Sequence, residues 1–193
     1  LKQDIRTSHI PIILLTARSN FNDRLLGLKT GGEVYLTKPF HQQELLIQVE
    51  NLLDNRRRLQ QYYLSQSGLQ DATFIPANHE QKEDKFLQKV RTLIEAKISD
   101  SSYSVEGLAK ELHLSTSQLY RKMMALTGQS TSKFFRSVQL KKAIELLQNS
   151  DFNISEIAYQ SGFNEPAYFS RVFAAEYGIS PSQYREQKIQ ASE

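Results

Sequence analysis

The chain has 193 residues, 39% of them hydrophobic and 23% charged, with a formal net charge of +3. That composition suits one or two domains with real cores. It holds no run of 18 apolar residues and no signal-like start, so this segment is expected neither to span nor to contact a membrane. The sequence contains no cysteine, which excludes disulfides, thiolate zinc sites and a Cys nucleophile and fits a reducing cytoplasm. His9, His41, His79 and His113 are scattered without HxxxH or HExxH spacing, so neither a metal nor another cofactor is expected. No nucleophile–base pair, carboxylate pair or glycine-rich phosphate loop supports an enzyme reading.

Residues 1–58 alternate strand and helix. "HIPIILLTA" is a continuous apolar run suited to a parallel strand covered on both faces. "NFNDRLLGLKTGG" predicts an amphipathic helix closed by Gly31 and Gly32. "EVYLTKPF" predicts a short second strand stopped by Pro39. "HQQELLIQVENLL" places Leu45, Leu46, Val49, Leu52 and Leu53 on one helical stripe. The order β-α-β-α is half of a doubly wound sheet. Leu45, Val49, Leu52, Leu59 and Tyr63 also follow a heptad-like spacing with Arg56 at the missing position. That pattern fits a helix extended into a dimer seam, and equally an amphipathic helix followed by a basic spacer.

"SQSGLQDATFIPANH", Ser65–His79, has no period and reads as a linker. Helical spacing then continues to the end, starting with Phe86, Leu87, Val90, Leu93, Ile94 and Ile98. The expected division is 1–58, a linker over 59–82, and an all-α domain over 83–193.

Inside that domain one pattern occurs twice. "VEGLAKELHLS" aligns with "ISEIAYQSGFN" at an offset of 49, matching Leu108 with Ile157, Ala109 with Ala158 and Leu114 with Phe163. After one extra residue the offset is 50, and Leu119, Arg121 and Met123 match Phe169, Arg171 and Phe173. A small alanine after a buried aliphatic, a tight turn and a further apolar residue are what two steeply crossing helices need, the helix-turn-helix unit. Caps are expected at Ser115 with Gln118, at Asn153 with Glu156, at Asn164, and at Ser180 with Gln183 behind Pro181. His113 occupies the turn position that Gly162 fills in the second unit, where a positive φ is expected. Between the units, "TSKFFRSVQLKKAIELLQNS" predicts a helical strut of ~27 Å. Such a strut suits two recognition helices set near the ~34 Å repeat of B-DNA.

"LAKELHLSTSQLYRKMMALTGQSTSKFFRSVQLKKAIELL" and "ISEIAYQSGFNEPAYFSRVFAAEYGISPSQYR" resemble the two halves of AraC-type transcription regulators. Residues 1–58 resemble the second half of a two-component receiver domain, flavodoxin-like in fold. That resemblance makes Thr16 the switch threonine and Lys38 the phosphate-sensing lysine, normally followed by a cis proline, here Pro39. The combination resembles the C-terminal end of hybrid two-component regulators. These join a sensor kinase anchored in the inner membrane to a receiver and an AraC-type output, and typically govern glycan-utilisation genes. The chain opens in what reads as the receiver's third helix, so the phospho-accepting and metal-binding acids are not in it. Asp4 and Asp23 are poor substitutes, and no phosphorylation is expected. The bare edge of "IPIILLT" is expected to pair with a second copy, giving a homodimer through the receiver part, or to be disordered.

The resemblance implies double-stranded DNA as partner, and local charge refines the expectation. Lys110 to Lys142 holds seven basic residues against one acid, whereas Ala143 to Glu193 holds three against seven. The first unit is therefore the expected electrostatic anchor. Outward positions near the start of each recognition helix are expected to meet bases: Ser117, Tyr120 and Arg121 in the first, Ala167, Ser170 and Arg171 in the second. Lys122, Lys133 and Arg136 are expected at phosphates. A rival reading is a protein-interaction fragment without DNA binding of its own, since residues 65–193 carry 15 basic and 15 acidic groups.

Overall fold

The structure is a computed structural model that describes residues 1–17, 33–64, 81–100 and 102–190. The helix expected near Asn20–Gly32 and the linker over Ser65–His79 lie outside the described residues. Two strands are described, β1 (Ile13–Thr16) and β2 (Val34–Thr37). The described helices are α1 (Gln42–Leu64), α2 (Gln81–Ala96), α3 (Val105–Glu111), α4 (Thr116–Thr127), α5 (Thr131–Asn149), α6 (Ile154–Gln160), α7 (Pro166–Tyr177) and α8 (Pro181–Gln190). The protein is thus mainly helical, a small parallel sheet followed by an all-α region. It divides into two compact units, Leu1–Glu83 with Ser117–Gly128, and Asp84–Thr116 with Gln129–Glu193.

In the first unit β1 and β2 run parallel, with Ile13 opposite Val34 and Thr16 opposite Thr37. Leu36 is buried, but Leu15 is 45% exposed, so β1 is open where cover on both faces was expected. With two strands among the described residues there is little sheet for covering elements to pack on. Residues 1–10 form turns rather than the expected helix. Asp4 explains this, because its carboxylate accepts from the backbone and guanidinium of Arg6 and competes with a helical ladder.

Helix α1 runs unbroken past residue 58 to Leu64. Its inward row is Leu45, Val49, Leu52, Arg56, Leu59 and Tyr63, at alternating spacings of four and three. Leu46 and Leu53, expected on that stripe, are instead 51% and 49% exposed. Arg56 continues the row because its guanidinium has work inside the unit. It donates to the carbonyl of His9 at 2.6 Å and, through Nε, to that of Ala125 at 3.1 Å. One turn on, Gln60 donates to the carbonyls of Met124 and Ala125 at 3.0 and 3.1 Å. The last carbonyls of a helix have no partner within it; on α4 two of them are met by α1.

The repeat is visible as bonding at its two turns. The amide of Leu114 donates to Ala109 and that of Phe163 to Ala158, both at 2.9 Å. One residue earlier, His113 donates to Lys110 and Gly162 to Tyr159. Both turn residues have positive φ, 55° at His113 and 83° at Gly162, as their alignment predicted. The likeness continues beyond the aligned segments. Gly128 and Gly178 close α4 and α7 at φ of 69° and 77°, and Ser130 and Ser180 open the helices that follow. Leu108, Ala109, Leu114, Leu119 and Met123 are buried, as are their counterparts Ile157, Ala158, Phe163, Phe169 and Phe173. In the second unit Leu140, Ala143 and Leu147 of α5 join those counterparts in one apolar core, edged by Tyr177 and Tyr184.

Caps fix where the helices start. Asn153 accepts from the amide of Glu156, and Glu156 reaches back to the amide of Asn153, a complete capping box. Ser180 and Gln183 make the corresponding reciprocal pair at α8. Asn164 does not cap α7: Glu165 sits at the cap position without a side-chain bond. Pro166 at N1 places the start there and supplies no amide.

Candidate nucleic-acid interface

The expected base-reading residues all lie on α4 and α7. Ser117, Tyr120 and Arg121 are exposed on α4, and Arg121 Nε donates to the carbonyl of Ser117 at 3.3 Å. On α7, Ala167 and Arg171 are exposed. Ser170 is half-buried and donates to the carbonyl of Pro166 at 2.9 Å, so its hydroxyl is engaged on its own helix. Glu111 pairs with Lys97. Lys133 and Arg136 are exposed on the first turns of α5, the helix between the two hairpins.

Arg136 and Arg171 come together at Tyr168. Their guanidinium carbons lie 5.8 and 5.9 Å from its ring centroid, within cation–π range. Tyr168 was not among the expected site residues, although it stands three positions before Arg171 on one helix face, a spacing the sequence already displays. The ring borders a recess that Arg136, Gln139, Asn164 and Glu165 also line. Gln139 is fixed there by donating to the carbonyl of Gly162 at 2.9 Å.

Lys122 departs from its expected role. It is 1% exposed, ion-paired with Glu83 at 2.7 Å and hydrogen-bonded to Ser8 Oγ at 2.7 Å. A buried ammonium needs such partners to offset desolvation, and in this structure it is not presented to phosphate. Beside it, His9 is held neutral, its pKa lowered to about 4 chiefly by burial and then by the charges of Lys122 and Arg56.

Thr16 ends β1 and Lys38 directly follows β2, and the Lys38 amide donates to the Thr16 carbonyl at 2.7 Å. The Lys38–Pro39 peptide is cis. Among the described residues no group of His, Asp and Glu side chains is arranged to hold a metal ion, and no helix is long and apolar enough to cross a membrane.

A family model described as a helix-turn-helix domain matches residues 108–187. Histidine kinase P4 of Formosa agariphila is 34% identical over 185 residues, 96% of this chain but 13% of its own length. The HTH-type transcriptional activator RhaR of Salmonella dublin is 35% identical over 102 residues, 53% of this chain and 36% of that protein. The chain therefore spans well under two thirds of either relative. A transcriptional regulator of Chromobacterium violaceum, described as containing an AraC-type DNA-binding domain, aligns with a TM-score of 0.52 at 27% identity, over 57% of this chain and 98% of that one. The matched segment holds both tight turns, both aliphatic–alanine pairs and both exposed arginines, so residues 108–187 belong to the AraC-type helix-turn-helix domains.

Proposed function

We propose that the chain is the output segment of a hybrid two-component regulator, acting in the cytoplasm as a sequence-specific binder of double-stranded DNA. In this reading residues 83–193 bind DNA, 59–82 connect, and 1–58 are the second half of a receiver, with Thr16 and Lys38 as remnants of its switch. The observation that carries it is the twice-repeated hairpin, each copy presenting an arginine at the same step of its second helix. An exposed arginine there can donate two hydrogen bonds to guanine O6 and N7, worth about 1–3 kcal/mol of discrimination. The match to a histidine kinase across nearly the whole chain supports the hybrid parent. Glycan-utilisation genes are the proposed targets, and a homodimer through the receiver part is the proposed assembly.

Fluorescence anisotropy with promoter fragments at two salt concentrations tests the reading. DNA binding predicts a steep loss of affinity with salt, and a further loss for Arg121→Ala and for Arg171→Ala. Salt-independent or absent binding would favour the interaction-fragment reading, which the burial of Lys122 supports by removing one cation from the first unit's surface.

A further inference from the structure

Two guanidinium groups from different helices meet at one exposed aromatic ring in the second unit. Arg136 comes from α5 and Arg171 from α7, and the guanidinium carbon of each lies within 6 Å of the ring centroid of Tyr168, which is 38% exposed. Two cations drawn to one small surface repel each other. The negative face of the ring offsets part of that repulsion, and a phosphate oxygen approaching both would offset the rest. The ring is itself held, with its centroid 6.3 Å from that of the buried Phe163. It is therefore a fixed platform for two otherwise mobile side chains. Arginine side chains lose considerable rotamer freedom when they bind, so a ring that restricts them beforehand reduces the entropy still to be lost.

We propose that Tyr168 is a positioning residue for backbone binding, stacking Arg136 and Arg171 so that the spacer helix and the second recognition helix engage phosphates of one strand together. This rests on the DNA-binding reading. It adds a residue outside the base-reading set and moves Arg171 from that set to the backbone beside Arg136, leaving the guanine contact to Arg121.

The test uses the 193-residue chain and a fluorescein-labelled duplex of mixed sequence, because phosphate contacts do not depend on sequence. Anisotropy is followed over a salt series. Tyr168→Leu is expected to weaken binding about three- to tenfold and to flatten the log K against log salt slope by about one, the equivalent of one phosphate contact. Tyr168→Phe keeps the ring and is expected to bind within about twofold of the parent. In an Arg136→Gln, Arg171→Gln background, Tyr168→Leu is expected to change nothing further, because the groups it positions are gone. If Tyr168→Leu fails to fold by circular dichroism, Tyr168→Met keeps the bulk without the ring and carries the same comparison. An unchanged slope with Leu or Met, or an undiminished loss in the double-Gln background, overturns the proposal while leaving DNA binding intact. A parent chain that shows no binding removes both.

Discussion

Replacing Gly162 by alanine separates conformational strain from collision. Gly162 has φ of +83°, and a Cβ there would lie 2.2 Å from the carbonyl oxygen of Ile98 and 2.8 Å from Gln139 Nε2. The left-handed conformation alone costs an L-residue about 1–2 kcal/mol. Relieving the two contacts requires the backbone at Ile98 to move and Gln139 Nε2 to shift from its bond to Gly162, an overpacking cost of about 1–3 kcal/mol. The expected loss for Gly162→Ala is therefore about 2–5 kcal/mol, a large share of ordinary domain stability. Gly178→Ala is the control: its φ is +77°, but a Cβ there meets nothing within 4 Å, so only the strain of about 1–2 kcal/mol remains. Urea denaturation followed by far-UV circular dichroism on both variants compares them directly. Equal losses would refute the reasoning, because the carbonyl of Ile98 would then be no obstacle.

Four further outcomes follow from the geometry described above. Lys122→Met leaves Glu83 buried without its cation and should cost about 3–5 kcal/mol, while Lys122→Met with Glu83→Leu should restore most of it; thermal melts of the two decide. The same Lys122 variant should leave the DNA salt slope unchanged, whereas Lys133→Ala should flatten it by about one. Asn153→Ala breaks the capping box of α6 and should cost about 1 kcal/mol in a urea titration. His9 resists protonation when folded, with a pKa of about 4 against 6.5 for the free group. The unfolded chain therefore binds the proton first, and stability should fall as pH drops from about 6.5 towards 4; His9→Gln should flatten that decline in pH-dependent melts.

What was legible in the sequence came from local rules acting on neighbouring residues. The aliphatic–alanine pairs, the turn at Gly162 and the Asn153–Glu156 box each lie within a few positions of their partners, so spacing alone exposes them. Asn164 misled because asparagine is a good cap, but Pro166 sets the first turn and moves the cap to Glu165. Lys122 misled more deeply. It sits beside the outward Arg121 on α4, yet its partners Ser8 and Glu83 are far away along the chain, and no periodicity reports such a meeting. Arg56 looked like a fault in a heptad and proved to be a hydrogen-bonding member of the row. The opposite slip occurred at Leu46 and Leu53, where hydrophobicity outweighed the helix's geometry.

The grip of α1 on α4 bears on how this protein should be cut for experiments. A piece trimmed to begin at residue 83 keeps Glu83 but discards Ser8, Arg56 and Gln60. Its helix α4 would keep the Gly128 amide on Met124 but leave the Ala125 carbonyl open to water, and its lysine–glutamate pair would lose a neighbour that covers it. Affinities taken on the trimmed piece would describe a looser instrument than the one the longer chain holds.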